Sequence, residues 1–241
     1  MTSIDFSKDA AQFWDKRFSQ AEYVFGKEPN AYLKNQVLKY MNPTANALCV
    51  ADGEGRNSVW LAKQGLLVEA FDISPVAIEK AKQLAKHEQV SVEFSVASTH
   101  SWAWKPNHYD LIAAIFIQFA TPNMRVDLFV QMRESLKSGG YLILQGYTPK
   151  QLDYKTGGPP SIDHLYTSEL MQDLLKGMEI CDWQENEEEI HEGEGHHGMS
   201  ALMGVVARKT WGLMRPIAVG YSDRDPHALV HRLSDWSLCR L

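Results

Sequence analysis

The sequence has little cysteine, no excess of basic residues and no long hydrophobic run. Its three cysteines lie far apart without a Cys-x-x-Cys spacing, which excludes a disulfide framework or a zinc knuckle and is typical of a reducing compartment. The longest apolar run, Leu111 to Ile117, is too short to span a bilayer. The first ten residues carry three charges where a secretory signal would be apolar. We therefore expect a cytoplasmic protein that has no membrane partner.

The charge balance is mildly acidic. The 241 residues contain 24 Lys and Arg against 30 Asp and Glu, a formal net charge of −6. Binding to nucleic acid requires clustered basic residues that contact phosphates, so we expect no nucleic-acid partner. With 44% hydrophobic residues, the chain has an ordinary globular composition. We expect a monomer or weak homodimer that acts on a small molecule.

Short apolar runs alternate with helical patterns through the first two thirds of the chain. Five strands are predicted, at 47–51, 66–73, 90–96, 111–117 and 141–147. Helices are predicted between them at 57–64, 74–86 and 123–138, the last ending at Gly139-Gly140. This alternation predicts a Rossmann-like, doubly wound α/β sheet with parallel strands.

The end of the predicted sheet differs from its beginning. Two strands, at 179–191 and 199–208, are separated only by the segment from Gly193 to Gly198. Because so short a link cannot hold a crossover helix, the pair must be antiparallel. The chain is thus divided into an aromatic-rich helical segment over 1–41, a cofactor-binding domain over 42–209, and an appendage of unknown role over 210–241.

A glycine-containing turn, Asp52-Gly53-Glu54-Gly55, follows the first strand. Glycines allow the backbone to approach a ligand closely, and the helix that follows favours acceptor groups at its N-terminus. Asp72 ends the second strand 19 positions after Gly53, where an acid can accept hydrogen bonds from both ribose hydroxyls. These features predict a nucleoside cofactor at the ends of the strands.

The acidity of this turn favours one nucleoside cofactor over another. The dinucleotide fingerprint has a third glycine where this chain has Ser58. Asp52 and Glu54 suit a positively charged sulfonium better than a pyrophosphate, which points to S-adenosylmethionine. An NAD-dependent oxidoreductase with the same type of sheet is the alternative.

The stretch CVADGEGRNSVWLA…EAFDISPVAIEKA (49–81) resembles the class I S-adenosylmethionine-dependent methyltransferases. It is most similar to the small-molecule branch that contains the tellurite-resistance and thiopurine methyltransferases, and the resemblance covers about residues 10–209. It implies a seven-stranded methyltransferase fold and methyl transfer to a small acceptor such as a thiol or a chalcogen oxyanion. The acid of the family's first motif falls on Cys49 and its first glycine on Ala51. We infer that Asp52 supplies the missing carboxylate, although these departures also fit a non-catalytic cofactor-binding protein.

The same resemblance implies where the cofactor is held. Asp72 would bind the ribose and Ile73 would pack on the adenine, whereas Trp14 and Phe25 match aromatic positions of a lid. For Trp14, packing on the core is an equally good interpretation. The residues expected at the cofactor are Trp14, Phe25, Asp52, Gly53, Gly55, Asn57, Asp72, Ile73, Ala97, Ser98, Phe116 and Ile117.

Two histidines of the C-terminal hairpin are the catalytic candidates. His191 falls where the tellurite-type enzymes carry a histidine, and His196 is chosen from its position in the turn. Either is suited to act as a general base or to orient the substrate, and a solvated polar turn is the alternative. The spacing is not His-Glu-x-x-His, and no metal is expected.

Overall fold

One seven-stranded sheet runs through the part of the chain that the structure describes. The structure is a computed structural model that describes residues 6–210, and of residues 6–9 it describes the backbone only. The helices are α1 Phe6–Phe18, α2 Ala31–Tyr40, α3 Arg56–Lys63, α4 Pro75–His87, α5 Pro122–Ser135, α6 Gln151–Tyr154 and α7 Ser168–Leu174. The strands are β1 Asn46–Val50, β2 Leu67–Asp72, β3 Glu93–Val96, β4 Tyr109–Ile115, β5 Leu136–Tyr147, β6 Met178–Glu192 and β7 His196–Lys209.

The strand order is β3-β2-β1-β4-β5-β7-β6. Strands β1 to β5 are parallel to one another, with Ala47 of β1 opposite Val68 of β2 on one side and Leu111 of β4 on the other. Strand β7 is antiparallel to both β5 and β6. The predicted fold class, a doubly wound sheet closed by an antiparallel hairpin, is therefore confirmed.

Each face of the sheet is covered by helices, as central parallel strands require. On one face, Leu33 and Val37 of α2 and Leu61 of α3 share a buried cluster with strand residues such as Ile143. On the other face, α5 and α7 bury a second cluster against β5 and β7, with Leu128, Phe129, Met132, Met171, Leu144 and Val205 among its members. The carboxyl ends of the parallel strands lie at one edge between these layers.

The prediction of a helix as far as residue 138 is wrong. Helix α5 ends at Ser135, and β5 begins at Leu136, which pairs with Tyr109. The register then shifts, and a Cβ atom at Gly140 would lie only 3.0 Å from the carbonyl oxygen of Tyr109. The two glycines therefore permit a bulge inside the strand, a role that local sequence does not distinguish from a helix stop.

The antiparallel hairpin at 179–208 is confirmed, and its strands are longer than predicted. Only residues 193–195 separate β6 from β7. A Cβ atom at Gly193 would lie 2.5 Å from the backbone of Gly26, and one at Gly195 would overlap the ring of Phe25. The absence of side chains at these glycines allows the hairpin turn to pack directly on the N-terminal segment.

The structure describes only part of the two end segments that the sequence analysis separated from the cofactor-binding domain, residues 1–41 and 210–241. Within the N-terminal segment, α2 packs into the core of the sheet, whereas α1 packs against α4. The appendage predicted over 210–241 lies, apart from Thr210, outside the described residues. None of the helices in the described range is long and apolar enough to cross a bilayer.

We predict that Gly204→Ala destabilises the fold by about 1–3 kcal/mol, because it overpacks a filled core. Gly204 faces α2, and a Cβ atom there would lie 2.6 Å from the ring of Tyr32. Chemical denaturation of the two proteins measures the difference in the free energy of unfolding. In a Tyr32→Leu background the same substitution should cost less, because the ring is gone. Equal costs in both backgrounds would contradict overpacking against Tyr32.

Candidate active site

The glycine turn is held in place by Asp72. The Asp72 carboxylate accepts a hydrogen bond of 2.9 Å from the backbone N–H of Gly53 and another of 2.9 Å from that of Ser74. Burial raises the pKa of Asp72, although these backbone hydrogen bonds oppose the shift. Asp72 therefore joins the turn after β1 to the start of α4 and presents a carboxylate at the edge of the sheet.

Asp52 is the second carboxylate of the turn. The Ser58 hydroxyl donates a hydrogen bond to its Oδ2 atom, so the residue in place of the third glycine has a structural role. Its Oδ1 atom is buried and has no hydrogen-bond partner among residues 6–210. Burial raises the pKa of Asp52 to about 7, and the hydrogen bond from Ser58 only partly opposes this. Asp52 is thus a buried carboxylate with one oxygen unpaired within the described residues, and the charge of Arg56 only partly offsets the effect of its burial.

Two other predicted residues of the turn pack inside the protein. Gly55 has φ +90°, and a Cβ atom there would lie 2.7 Å from that of Ala81 on α4, so this glycine allows α3 and α4 to pack closely. Asn57 is buried, and its Oδ1 atom accepts a hydrogen bond of 3.0 Å from the backbone N–H of Asn30. Asn57 therefore connects the turn to the start of α2.

Aromatic side chains from the N-terminal segment lie over the turn. Phe18 is buried, and a Cβ atom at Gly53 would lie 3.4 Å from its ring. Trp14 stacks on Phe18 at 5.5 Å between ring centroids, and Phe25 meets Phe18 edge-on at 6.1 Å. Trp14 and Phe25 thus lie in one apolar cluster.

The remaining predicted cofactor residues occupy different environments. The backbone N–H of Ala97 bonds to the carbonyl of Asp72 at 2.9 Å, Ile73 is half-buried, and Ser98 bonds with Ser101 in a turn. Phe116 follows β4 with φ +56°, and its half-buried ring lies at the strand ends. Ile117, by contrast, is buried in the core cluster beside α5.

The two candidate histidines lie on opposite faces of the hairpin. His196 pairs with Glu192, whereas His191 pairs with His197, and neighbouring positions on a strand point to opposite sides. The His191 side chain is 60% exposed, and its Nδ1 lies 3.1 Å from that of His197. The His196 side chain is only 10% exposed. The structure therefore brings His196, and not His191, to the strand ends.

His196 lies among aromatic rings. Its ring centroid is 4.4 Å from that of Phe25, 4.2 Å from that of Phe116 and 5.7 Å from that of Tyr147. These rings come from the N-terminal segment and from the ends of β4 and β5. His196 thus lies where the three elements meet.

A buried polar network surrounds Glu192, the last residue of β6. Glu192 pairs with Arg56 at 2.7 Å and accepts a hydrogen bond of 2.9 Å from Asn30. The same Asn30 amide donates to Gln145 at 2.6 Å. His196 Nδ1 lies 3.6 Å from a Glu192 oxygen, slightly beyond hydrogen-bond length.

The charges of this network affect both titratable groups. Burial raises the pKa of Glu192, but interaction with His196 and the ion pair with Arg56 outweigh it and lower that pKa to about 2. Burial lowers the pKa of His196, and Arg56 adds to this, while Glu192 opposes it. At neutral pH the pair is a carboxylate beside an uncharged imidazole.

A cleft of about 380 Å³ opens beside the network. It lies between the segment that enters α2 and the ends of β5, β6 and β7. Its walls include Phe25, Asn30, Tyr32, Gln145, Ile190, His191, Glu192 and Leu202, and they do not include His196. Among the side chains that the structure describes, those of residues 10–210, no group of three or more His, Cys, Asp or Glu is arranged to hold a metal ion.

Four residues of the network were not predicted as site residues, namely Asn30, Arg56, Gln145 and Glu192. Arg56 and Asn30 have no distinguishing local signal, since Arg56 reads as the first helical residue and Asn30 as a helix cap. Gln145 had a usable signal, because it is a polar residue that ends the apolar run from Leu142 to Leu144 in a buried strand. A buried side-chain amide without a hydrogen bond would cost free energy, so a glutamine at this position predicts a buried polar partner.

The strand order and the glycine turn identify the fold. The order β3-β2-β1-β4-β5-β7-β6, with the glycine turn after β1, is the seven-stranded fold of the class I methyltransferases. Residues 47–140 match the family model of a methyltransferase domain. The match covers β1 to the bulge in β5, and so includes the turn and Asp72.

Two curated relatives match the same part of the chain. Thiocyanate methyltransferase 1 from Brassica oleracea is 32% identical over 120 residues, which are 49% of this chain and 52% of that protein. Ribosomal protein L11 methyltransferase from Campylobacter concisus is 34% identical over 115 residues, 48% of this chain and 39% of that protein. The chain thus spans about half the length, or less, of the curated relatives that it matches.

Solved structures share the fold at low sequence identity. TehB from Haemophilus influenzae has a TM-score of 0.62 at 18% identity, covering 83% of this chain and 67% of that one. Magnesium protoporphyrin IX methyltransferase (ChlM) from Synechocystis PCC 6803, solved with bound S-adenosylmethionine, has a TM-score of 0.61 at 14% identity, covering 87% and 100%. The family match and the fold support S-adenosylmethionine as the cofactor.

The environment of Asp52 predicts a pH dependence of stability. Because its pKa rises from the ordinary 3.8 to about 7 on folding, the folded protein holds a proton that the unfolded chain releases. The unfolding free energy of the wild type, relative to Asp52→Asn, should therefore fall by at most about 1.4 kcal/mol per pH unit between about pH 4 and 7. It should then level off.

Denaturation of both proteins across this pH range measures the effect. Asp127→Asn, at an exposed position of α5, is the matched control and should follow the wild type. Parallel curves for the wild type and Asp52→Asn would show that Asp52 titrates normally.

Proposed function

We propose that this protein transfers the methyl group of S-adenosylmethionine to a small-molecule acceptor, such as a thiol or a chalcogen oxyanion. The observation that carries the proposal is the position of His196. It lies against Phe116 at the end of β4, at the same edge of the sheet as the glycine turn. A group that handles an acceptor thus adjoins the elements that would hold the methyl donor.

The residues of the turn fit the proposed cofactor. Asp52 Oδ1 is buried without a partner in the described part of the chain, and a bound cation or a hydrogen-bond donor would satisfy it. The Asp72 oxygens each accept one backbone hydrogen bond and retain lone pairs for the ribose hydroxyls. Because Gly53 has no side chain, no Cβ atom lies between its backbone and the ring of Phe18.

Each group would have a separate task. When bound, S-adenosylmethionine supplies a methyl group on a sulfonium that leaves as a neutral thioether. Asp52 would hold the charged amino-acid end, and Asp72 would hold the ribose. Trp14, Phe18 and Phe25 would exclude water and place aromatic faces near the sulfonium. The protein would act mainly by orienting the reactants and excluding water from them.

One comparison supports the choice of a small acceptor, because a relative is by name a thiocyanate methyltransferase. The other relative is by name a ribosomal protein L11 methyltransferase, and that name points to a protein acceptor instead. The cleft of about 380 Å³ that leads to Glu192 lies within the range of small-ligand sites. His191 lines this cleft, whereas His196 lies among the rings at the strand ends. We assign the acceptor side to His196, because its side chain is 10% exposed whereas that of His191 is 60% exposed.

An NAD-dependent oxidoreductase is disfavoured by the sheet. The dinucleotide-binding sheet has the order 3-2-1-4-5-6, whereas here the antiparallel β7 lies between β5 and β6. Where the dinucleotide fingerprint has a glycine, this chain has Ser58, whose hydroxyl donates a hydrogen bond to Asp52.

Binding and turnover test the proposal directly. Calorimetry with S-adenosylmethionine, S-adenosylhomocysteine and NAD should show binding of the two adenosyl compounds only. Mass spectrometry should then detect S-adenosylhomocysteine and a methylated product from a panel of thiols, chalcogen oxyanions and phenols. Binding of NAD alone would support the oxidoreductase, and cofactor binding without any product would support a non-catalytic role.

The proposed role of Asp52 predicts that cofactor affinity depends on pH. A cation binds the ionised carboxylate, whose pKa in the free protein is about 7. The association constant for S-adenosylmethionine should therefore rise by up to about tenfold per pH unit below pH 7 and level off above it. At pH 6, binding of S-adenosylmethionine should release a proton from Asp52. Calorimetry in buffers of different ionisation enthalpy measures this release.

The matched variant is Asp52→Asn, which should bind the cofactor more weakly at pH 8 and lose this pH dependence. Asp127→Asn is again the surface control. The same pH profile in the wild type and in Asp52→Asn would remove Asp52 from the cofactor site.

A further inference from the structure

We propose that Glu192 is a positioning residue for His196, and that His196 removes a proton from the methyl acceptor. The acceptor is then a protic nucleophile, such as a thiol, and not a preformed anion. This inference rests on the proposed function and narrows its substrate class. It starts from the 3.6 Å approach of His196 Nδ1 to the Glu192 carboxylate inside the buried network.

Glu192 is fixed from two sides. Its side chain is 13% exposed, and that of its ion-pair partner Arg56 is 7% exposed, so neither is free to turn into solvent. The Asn30 amide donates to the other carboxylate oxygen at 2.9 Å. A carboxylate held by two partners on neighbouring helices is suited to orient a third group.

His196 is fixed as well. The rings of Phe25 and Phe116 lie on it at 4.4 and 4.2 Å between centroids, which restricts its rotation. In the part of the chain that the structure describes, its Nδ1 atom is buried without a hydrogen-bond partner. We assign the Nδ1 proton to the side facing Glu192, because a carboxylate is an acceptor only. Nε2 then carries the lone pair.

The charged groups around His196 keep it uncharged before reaction. Arg56 at the start of α3 and Arg17 on α1 disfavour its protonation, whereas Glu192 on β6 favours it. Tyr147 on β5 also faces the ring, and burial raises the pKa of its hydroxyl. With burial added, the pKa of His196 lies below its ordinary value of 6.5, so the imidazole is ready to accept a proton at neutral pH.

The proposed step balances in atoms and electrons. The proton of the acceptor's S–H group passes to His196 Nε2, and the electron pair left on that sulfur forms the bond to the methyl carbon. The electron pair of the broken sulfonium bond stays on the cofactor's sulfur. Glu192 stabilises the imidazolium, which then loses its proton to solvent.

A structural alternative makes a different prediction. If the network only joins the hairpin to α3, loss of the Glu192 charge would weaken the fold and still shift the pKa of His196, but it would lower turnover of all acceptors alike. The test therefore measures both the pKa of His196 and the turnover of acceptors with and without a proton to lose.

The first measurement needs no cofactor or acceptor. NMR titration gives the pKa of His196 in the wild type and in Glu192→Gln, with its signal identified by its loss in His196→Asn. We expect Glu192→Gln to lower this pKa by about one unit or more, because a carboxylate no longer opposes Arg56 and Arg17. An unchanged pKa would overturn the inference.

The second measurement compares acceptors in the presence of S-adenosylmethionine. With 2-mercaptoethanol, Glu192→Gln should lower kcat by about tenfold or more and move the acidic limb of the pH profile. With thiocyanate, which has no proton to lose, the loss of kcat should be smaller, so that the ratio of kcat with 2-mercaptoethanol to kcat with thiocyanate falls by about tenfold. His197→Asn, on the exposed face of the hairpin, is the matched control and should keep the wild-type kcat with both acceptors.

Folding and function failures are separated by further readouts. Glu192→Asp keeps the charge and should retain more thiol activity than Glu192→Gln, even if both lose some stability. Equal losses with 2-mercaptoethanol and thiocyanate would overturn the inference. A wild type that methylates thiocyanate but no protic acceptor would overturn it and leave the proposed function standing, whereas cofactor binding with no methylated product would overturn both.

Discussion

The buried ion pair between Arg56 and Glu192 is the interaction on which the site depends. It joins the first residue of α3, directly after the glycine turn, to the last residue of β6, 136 positions later. The pair holds the end of the hairpin beside the turn, together with the contacts that the hairpin makes with the N-terminal segment. A buried pair is costly to break, because either partner alone leaves an uncompensated charge. Asn30 satisfies the second carboxylate oxygen and so completes the pair.

The ion pair also explains how the site is closed. With the end of β6 held at α3, the hairpin turn lies on the N-terminal segment, where the backbone N–H of Gly195 bonds to the carbonyl of Val24 at 2.9 Å. The Val24 N–H in turn donates to Glu54 of the glycine turn at 2.7 Å. One short segment thereby connects both halves of the site. Aromatic rings extend along it from Trp14 to His196, and the last of them lies beside the polar network of Glu192.

Local sequence predicted the fold well, because hydrophobic periodicity and short links report on strands and crossovers directly. The length of the hairpin link dictated its antiparallel pairing. The Gly139-Gly140 pair was misinterpreted, since a glycine that ends a helix and a glycine that permits a bulge look alike in sequence. Within the site, the 19-residue spacing of Gly53 and Asp72 predicted neighbours that the structure joins by a hydrogen bond. The partners of Asn30 lie 115 and 162 residues away, and no local pattern indicates pairings of that range.

The hairpin histidines show where the sequence stops being informative. Strand alternation alone determined that the side chains of His191 and Glu192 point to opposite faces. The short link alone determined that the two strands beside it pair with each other. Which face would be buried depended on what packs against it, and the sequence of the hairpin does not contain that information. The tertiary structure decided it by placing Arg56, Phe25 and Phe116 on the side of Glu192 and His196. Burial and charge pairing arise from elements distant in the chain, so only the folded protein distinguishes the buried histidine from the exposed one.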